Sequence, residues 1–291
     1  MEERDWAAGS FPFSPGLGAV YSKIAYDNSK LKDSIGRLGT NPYTLENLLK
    51  YGGVCRDQAY FARAVCRASG LPAYMASGQG NTSGAGHAWV GWIVRDAKGF
   101  RLESHGRYAY DKYFTAEIVD PASGHQILDY LVGIEAKGLS DEKAFDDADL
   151  LFRVWREVGP RLDVEARFRL LVEAVKRNPF HRRAWLALGE ATASGELPQA
   201  SAERQWQFLT TQYKEFPDFT FQMAQKFSKK LKTAAEKYRF YEATADLFEG
   251  LLRQDLVAKL RLQEIAMCEQ ENRLDLALSV ACAGMQECAG E

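Results

Sequence analysis

Apolar residues along this chain fall into two regimes. Up to about residue 131 they form short aromatic and β-branched runs separated by glycines, interrupted by one strong helical stripe; beyond about Lys137 they recur at three- and four-residue steps nearly to the end. The stripe begins after Gly52 and Gly53. From Cys55 the apolar positions Ala59, Ala62, Val65 and Cys66 predict an amphipathic helix, which Gly70 ends with Pro72 behind it. Pro72 to Gly78 then reads as a strand, Gln79 to Gly86 as a polar Gly/Ser-rich loop, and His87 to Val94 as a second strand rich in aromatic and β-branched residues. Phe100–Ser104, Tyr113–Val119 and His125–Leu131 follow as further extended pieces. A meander of this kind packed on the Cys55 helix predicts an α+β domain. Upstream, Thr44 and Asn47 are placed to cap a short helix over Leu45–Lys50. Residues 1 to 40 are punctuated by glycine and proline, with one short helix around Ala19 to Asp27. They read as a wrapping segment whose aromatics Phe11, Phe13, Tyr21 and Tyr26 fill grooves of the core.

The second regime opens on a polar, acidic joint, GLSDEKAFDDADLL, and continues as helices, with the pair over Ala202–Tyr238 broken near Pro217. Two domains are expected, residues 1–140 and an α-helical 150–291, within the capacity of a 291-residue chain. A formal net charge of -2 and a pI near 6.2 give no sign of a nucleic-acid or membrane-surface partner. No apolar run approaches a membrane span, and the N-terminal residues lack the pattern of a signal peptide. Five cysteines without a disulfide framework make a reducing, cytoplasmic compartment the default; a fragment of a longer precursor would instead be compatible with a secreted or periplasmic protein. Phosphate loops, dinucleotide fingerprints and EF-hand loops are missing, and Cys55, His87 and His105 lack the short spacings of a zinc site, so no metal or organic cofactor is expected.

Chemistry concentrates on Cys55 and His87. A cysteine in the first turn of a helix meets unpaired backbone N–H groups and the positive end of the helix dipole, which favour the thiolate, and Arg56 adds a positive charge. A thiolate nucleophile also needs a base with a pKa near neutrality, which His87 at the start of the following strand supplies. Each residue has a structural alternative, a buried free cysteine or a hydrogen-bonded structural histidine. Cys66, inside the apolar stripe, reads as core. The paired placement favours the functional reading.

GVCRDQAYFARAVCRASGLPAYMASGQG followed by GHAWV resembles the core of the transglutaminase-like family over about Tyr51 to Tyr108: a Gly-x-Cys opening a helix, an Ala-rich helix body, a Gly-Leu-Pro-type exit, a strand ending in Gly, and a His-x-Trp. The resemblance implies a papain-like α+β fold, with Cys55 as nucleophile and His87 as its partner in acyl transfer through a thioester. Transglutaminases, peptide N-glycanases and bacterial proteins read as proteases or amidases share this pattern. The family's third residue is usually an Asp on the strand after the histidine strand. Here the corresponding stretch offers Glu103, with Asp120, which has turn chemistry around it, as rival, His105 as a weaker candidate, and no third residue as a further alternative. No amide side chain directly precedes Cys55 to bind an oxyanion. That leaves the Cys55 backbone N–H and a second donor, the Tyr51 hydroxyl or another N–H. In the helical region, Phe168–Gly195 resembles one tetratricopeptide repeat, with a weaker echo over Tyr241–Leu278.

The expectation is a transglutaminase-like cysteine enzyme acting on peptide or glutamine side-chain amides of a protein or peptide substrate, with hydrolysis favoured because no dedicated amine site is visible. The alternative is a catalytically inactive scaffold of the same fold whose helical domain binds a protein or peptide partner.

Overall fold

The computed structural model describes residues 2–80, 86–97, 99–107, 114–119, 124–196 and 199–288. The chain divides into two compact units, Met1–Ser140 and Asp141–Glu291.

The first unit is built on a five-stranded antiparallel sheet of β1 (Ala73–Gly80), β2 (Gly86–Asp96), β3 (Gly99–His105), β4 (Phe114–Val119) and β5 (Gln126–Leu128), in the order β3-β2-β1-β4-β5. Ahead of it lie α1 (Glu3–Ser10), a 3-10 turn over Leu17–Lys23, the single turn α2 (Lys30–Asp33), α3 (Leu45–Tyr51) and α4 (Cys55–Ala68). Alternation along β2 sorts its side chains onto two faces. Ala88, Val90, Trp92 and Val94 pack with Phe61, Ala62, Val65 and Cys66 of α4 in the larger core. Trp89 faces the other way, into a smaller cluster with Tyr74, Ala76, Ala116 and Ile118.

That second face is covered by α5 (Asp129–Leu139), where the extended reading of His125–Leu131 fails after three residues. The helix buries Gly133, Ile134, Ala136 and Gly138. Small residues let it lie close to the sheet, and two glycines had hidden its period.

The N-terminal segment straps the core, with one correction. Phe11 meets Phe61 edge to face at 5.7 Å, Tyr21 is buried and donates to the Ala88 carbonyl at 3.0 Å, and Trp92 donates to the Pro15 carbonyl at 2.8 Å. Phe13 and Tyr26, however, are exposed at 62% and 46%, and fill no groove. The Tyr26 backbone pairs with Gly53 instead, through Gly53 N–H to Ala25 O and Asp27 N–H to Gly53 O. At Gly52 a Cβ would sit 2.3 Å from the Ala25 carbonyl oxygen, and its φ of +86° is a glycine conformation. The Asp27 carboxylate ties the same loop by accepting from the Ser29 hydroxyl and the Arg37 and Ser29 N–H groups, which hold its pKa at about 2. Its contribution to stability is present above the unfolded carboxylate pKa and is lost as pH falls from there through the folded value of about 2.

The second unit is helical: α6 (Glu142–Val158), α7 (Val164–Arg177), α8 (Arg182–Ala193), α9 (Gln199–Gln212), α10 (Pro217–Phe227), α11 (Ala234–Glu249), α12 (Gln254–Gln270) and α13 (Leu274–Cys288). Pro217 occupies the first position of α10, where its missing N–H costs no helical bond. The starts of α8, α10 and α12 at Arg182, Pro217 and Gln254 follow one another at 35- and 37-residue steps. Arg253, fully buried, donates to both oxygens of Asp218 and both of Asp255, tying α10 to α12. Buried His181 caps α8 through the Ala184 N–H and approaches Asp149 of α6 at 3.4 Å. Among the described residues no helix is long and apolar enough to cross a membrane.

The start of α4 depends on Asp57. Its buried carboxylate accepts from the Val54 N–H at 2.8 Å, from Lys30 Nζ at 2.8 and 3.0 Å, and from the Tyr43 hydroxyl at 2.8 Å. Replacing it by alanine removes the cap and strands a largely buried ammonium. Asp57→Ala is therefore expected to lower the unfolding free energy by about 3 kcal/mol, measured by urea denaturation. A loss below about 0.5 kcal/mol would show that the helix start is held by other contacts.

Candidate functional site

Cys55 is the first residue of α4 and half-buried against the larger core. Asp57 and Gln58 N–H groups both turn back to the Val54 carbonyl, at 2.9 and 3.0 Å, which closes the first helical turn under the cysteine. His87 stands near the start of β2, and β2 packs along α4, so the histidine arrives at the N-terminal end of the helix. The Cys55 thiol and the His87 imidazole are hydrogen-bonded to each other.

The pair polarises itself. For Cys55 the hydrogen bond from His87 is the largest influence and lowers the thiol pKa; burial opposes it, and the Ala88 and Arg56 backbone N–H groups add to the lowering. For His87, burial is the largest influence and pulls its pKa down. The hydrogen bonds to Cys55 and to the Gly106 carbonyl outweigh it and leave the histidine raised. Both shifts favour a thiolate beside an imidazolium. Cys66, eleven residues along the same helix, shows the opposite behaviour: burial pushes its thiol up to about 12.

The third position holds a main-chain oxygen. His87 Nε2 lies 2.6 Å from the Gly106 carbonyl oxygen. A carbonyl only accepts, so Nε2 carries the proton and Nδ1 is left to face the thiol. Gly106 follows β3 with a φ of +84°, and a Cβ there would press on the Tyr21 ring at 2.6 Å. Glycine therefore allows both the turn and the approach of its carbonyl.

Glu103 is not brought to His87. In the register of β2 and β3 it stands opposite Trp92, five residues along the strand from His87, a displacement of roughly 16 Å at the strand rise. Its carboxylate accepts from Arg101 Nε at 2.5 Å. The expectation of Glu103 as the acid orienting the imidazole is corrected accordingly. Asp120 lies outside the described residues. His105 hydrogen-bonds Ser22 Oγ at 2.7 Å and packs its ring on Tyr21.

As for an oxyanion, the Cys55 N–H has no hydrogen-bond partner among the described residues and sits beside the thiol. Tyr51 makes no hydrogen bond to the pair among these residues; the Lys50 ammonium lies 5.0 Å from its ring. The nearby amide Gln58 is committed to the Ile24 carbonyl at 2.8 Å. No group of three or more His, Cys, Asp or Glu side chains among the described residues is arranged to hold a metal ion.

Residues 18–102 match the family model of the transglutaminase-like superfamily, and this stretch is a transglutaminase-like domain, followed by a largely helical C-terminal region. The match contains Cys55 and His87 and ends one residue before Glu103. The comparisons with curated proteins and with solved structures gave no match.

Reaction of Cys55 with iodoacetamide, followed by mass spectrometry against pH, is expected to show a midpoint below that of a free cysteine peptide, with Cys66 unreactive through the neutral range. His87→Ala is expected to move the Cys55 midpoint upward, since it removes the largest influence lowering it. An unchanged midpoint in His87→Ala would break the link between the two residues.

Proposed function

We propose that the first unit is a thiol acyl-transfer enzyme that opens amide bonds of peptides or of glutamine side chains, with hydrolysis as the main outcome. The observation that carries this reading is the hydrogen-bonded Cys55–His87 pair at a helix start, its two pKa values displaced toward the ion pair.

In this reaction the Cys55 thiolate attacks the amide carbonyl carbon, forming the C–S bond. Negative charge gathers on the carbonyl oxygen, which the Cys55 N–H is placed to receive. The His87 imidazolium gives its proton to the nitrogen as the C–N bond breaks, releasing the amine and leaving a thioester. Water then attacks the thioester while neutral His87 takes its proton, and the C–S bond breaks to restore the thiolate. An amine in place of water would give transfer. Gly106 acts as a positioning residue, fixing the histidine tautomer through its carbonyl.

A binding-module reading draws on a different feature, an apolar groove of about 900 Å³ in the helical unit lined by Val164, Phe168, Val172 and Phe208. The Cys55–His87 pair would have no task in such a module, and for that reason the enzyme reading is preferred.

β-Casein serves as a test substrate, with mass spectrometry scoring peptide cleavage and glutamine deamidation and dansylcadaverine incorporation scoring transfer. Cys55→Ala is expected to lower either activity by about four orders of magnitude. Glu103→Gln is expected to stay within about threefold of the parent, since its pairing with Arg101 is exposed. Full activity in Cys55→Ala would end the thioester mechanism, and a loss above about a hundredfold in Glu103→Gln would reinstate a catalytic carboxylate.

A further inference from the structure

Beside Cys55, on the outer face of α4, lies a cleft of about 540 Å³ whose walls include Val54 and Arg56, the two chain neighbours of the cysteine. Arg56, Tyr60 and Arg63 follow at i, i+4 and i+7 and so line one face of the helix, with Tyr43 and Met75 opposite. Tyr43 and Tyr60 form an aromatic wall, their ring centroids 5.5 Å apart.

The charges in this cleft do not balance. The Asp57 carboxylate is committed to Lys30, Tyr43 and the Val54 N–H, so Lys30 is neutralised in place. Neither Arg56 nor Arg63 has a carboxylate partner among the described residues, and the buried Nε of Arg63 has no hydrogen-bond partner there. The Arg63 guanidinium leans over the Tyr60 ring, 5.5 Å from its centroid, back toward the helix start. A guanidinium held against the Tyr60 ring and lining an open cleft, with no carboxylate of its own among the described residues, is suited to a planar, bidentate anion.

We propose that this cleft receives a carboxylate of the substrate and that Arg63, supported by Arg56, makes the enzyme select acidic peptides. The position follows from helix geometry. Arg63 is eight residues from Cys55, about 12 Å along the axis, and its side chain reaches back by about one turn. An extended peptide with its reacting carbonyl at Cys55 therefore brings a carboxylate two or three residues from the scissile amide to Arg63, at about 3.3 Å per residue. This inference names the substrate class of the reading above and rests on Cys55 as the point of attack, but the cleft can be tested without turnover.

The test is binding of fluorescent, end-blocked hexapeptides to the Cys55→Ala chain, read by anisotropy. The pair compared is Ala-Glu-Ala-Glu-Ala-Ala and the same peptide with glutamine at both glutamate positions. The glutamate peptide is expected to bind about tenfold tighter, with the difference shrinking as salt is added. Arg63→Gln is expected to bring the ratio near one, and Arg63→Lys to restore part of it. Arg56→Gln, at an exposed position, is expected to reduce the ratio in a chain whose fold is not in question. A glutamine peptide with a free C-terminus, if it binds as the glutamate peptide does, assigns the cleft to a terminal carboxylate. Equal binding of all three peptides, or none, overturns the proposal whatever the reactivity of Cys55. Glutamate-selective binding by the Cys55→Ala chain, with Cys55 of the parent chain alkylating like an ordinary thiol, would instead leave the cleft standing and remove the catalytic reading.

Discussion

The buried Asp57 carboxylate is the interaction on which the rest of the first unit turns. By taking the Val54 N–H it ends the extended approach and begins α4 at Cys55, and by taking Lys30 and Tyr43 it holds the preceding loops against that start. A carboxylate so placed is stabilised by the positive end of the helix as well as by its donors. Breaking it would loosen the turn that presents the thiol, because Gly52 and Gly53 have no side chains with which to hold it. The backbone bonds of Gly53 to Ala25 and Asp27, and of Gly52 to the Leu48 carbonyl, provide the remaining anchorage.

His87 is oriented by a neutral acceptor. A carbonyl fixes the tautomer as firmly as a carboxylate does but offers no full negative charge to an imidazolium. The charged form of the histidine therefore leans on the thiolate itself, and the thiolate on the histidine. Such mutual dependence gives coupled titration, in which the two protons belong to the pair rather than to either residue. Glu103, which the family resemblance had suggested as the orienting acid, serves β3 through Arg101.

The helical unit is held by a different device. Full burial of Arg253 would be costly without partners, and the two carboxylates that meet it make removal of any one member worse than the presence of all three. The regular recurrence of helix starts in this unit, with short turns between, follows from packing each helix against its neighbours in the chain.

What the sequence determined on its own was local. Three- and four-residue spacing from Ala59 to Cys66 was enough for α4, glycines 52 and 53 for its start, Gly70 for its end, and the aromatic run after His87 for β2, because each signal lies within a few residues of the structure it specifies. The transition to helix beyond residue 140 was visible for the same reason. The partner of His87 was not legible, since a main-chain oxygen belongs to every residue and only the register of β3 and the positive φ of Gly106 decide which one arrives. Glu103 was misplaced because residue type was visible and the 16 Å strand offset was not. The helix α5 escaped because its glycines lower helix propensity, and it is stabilised by the face of the sheet it covers. The unbalanced arginines of the cleft depend on which carboxylates Lys30 and Tyr43 reach, a question that only the folded chain answers.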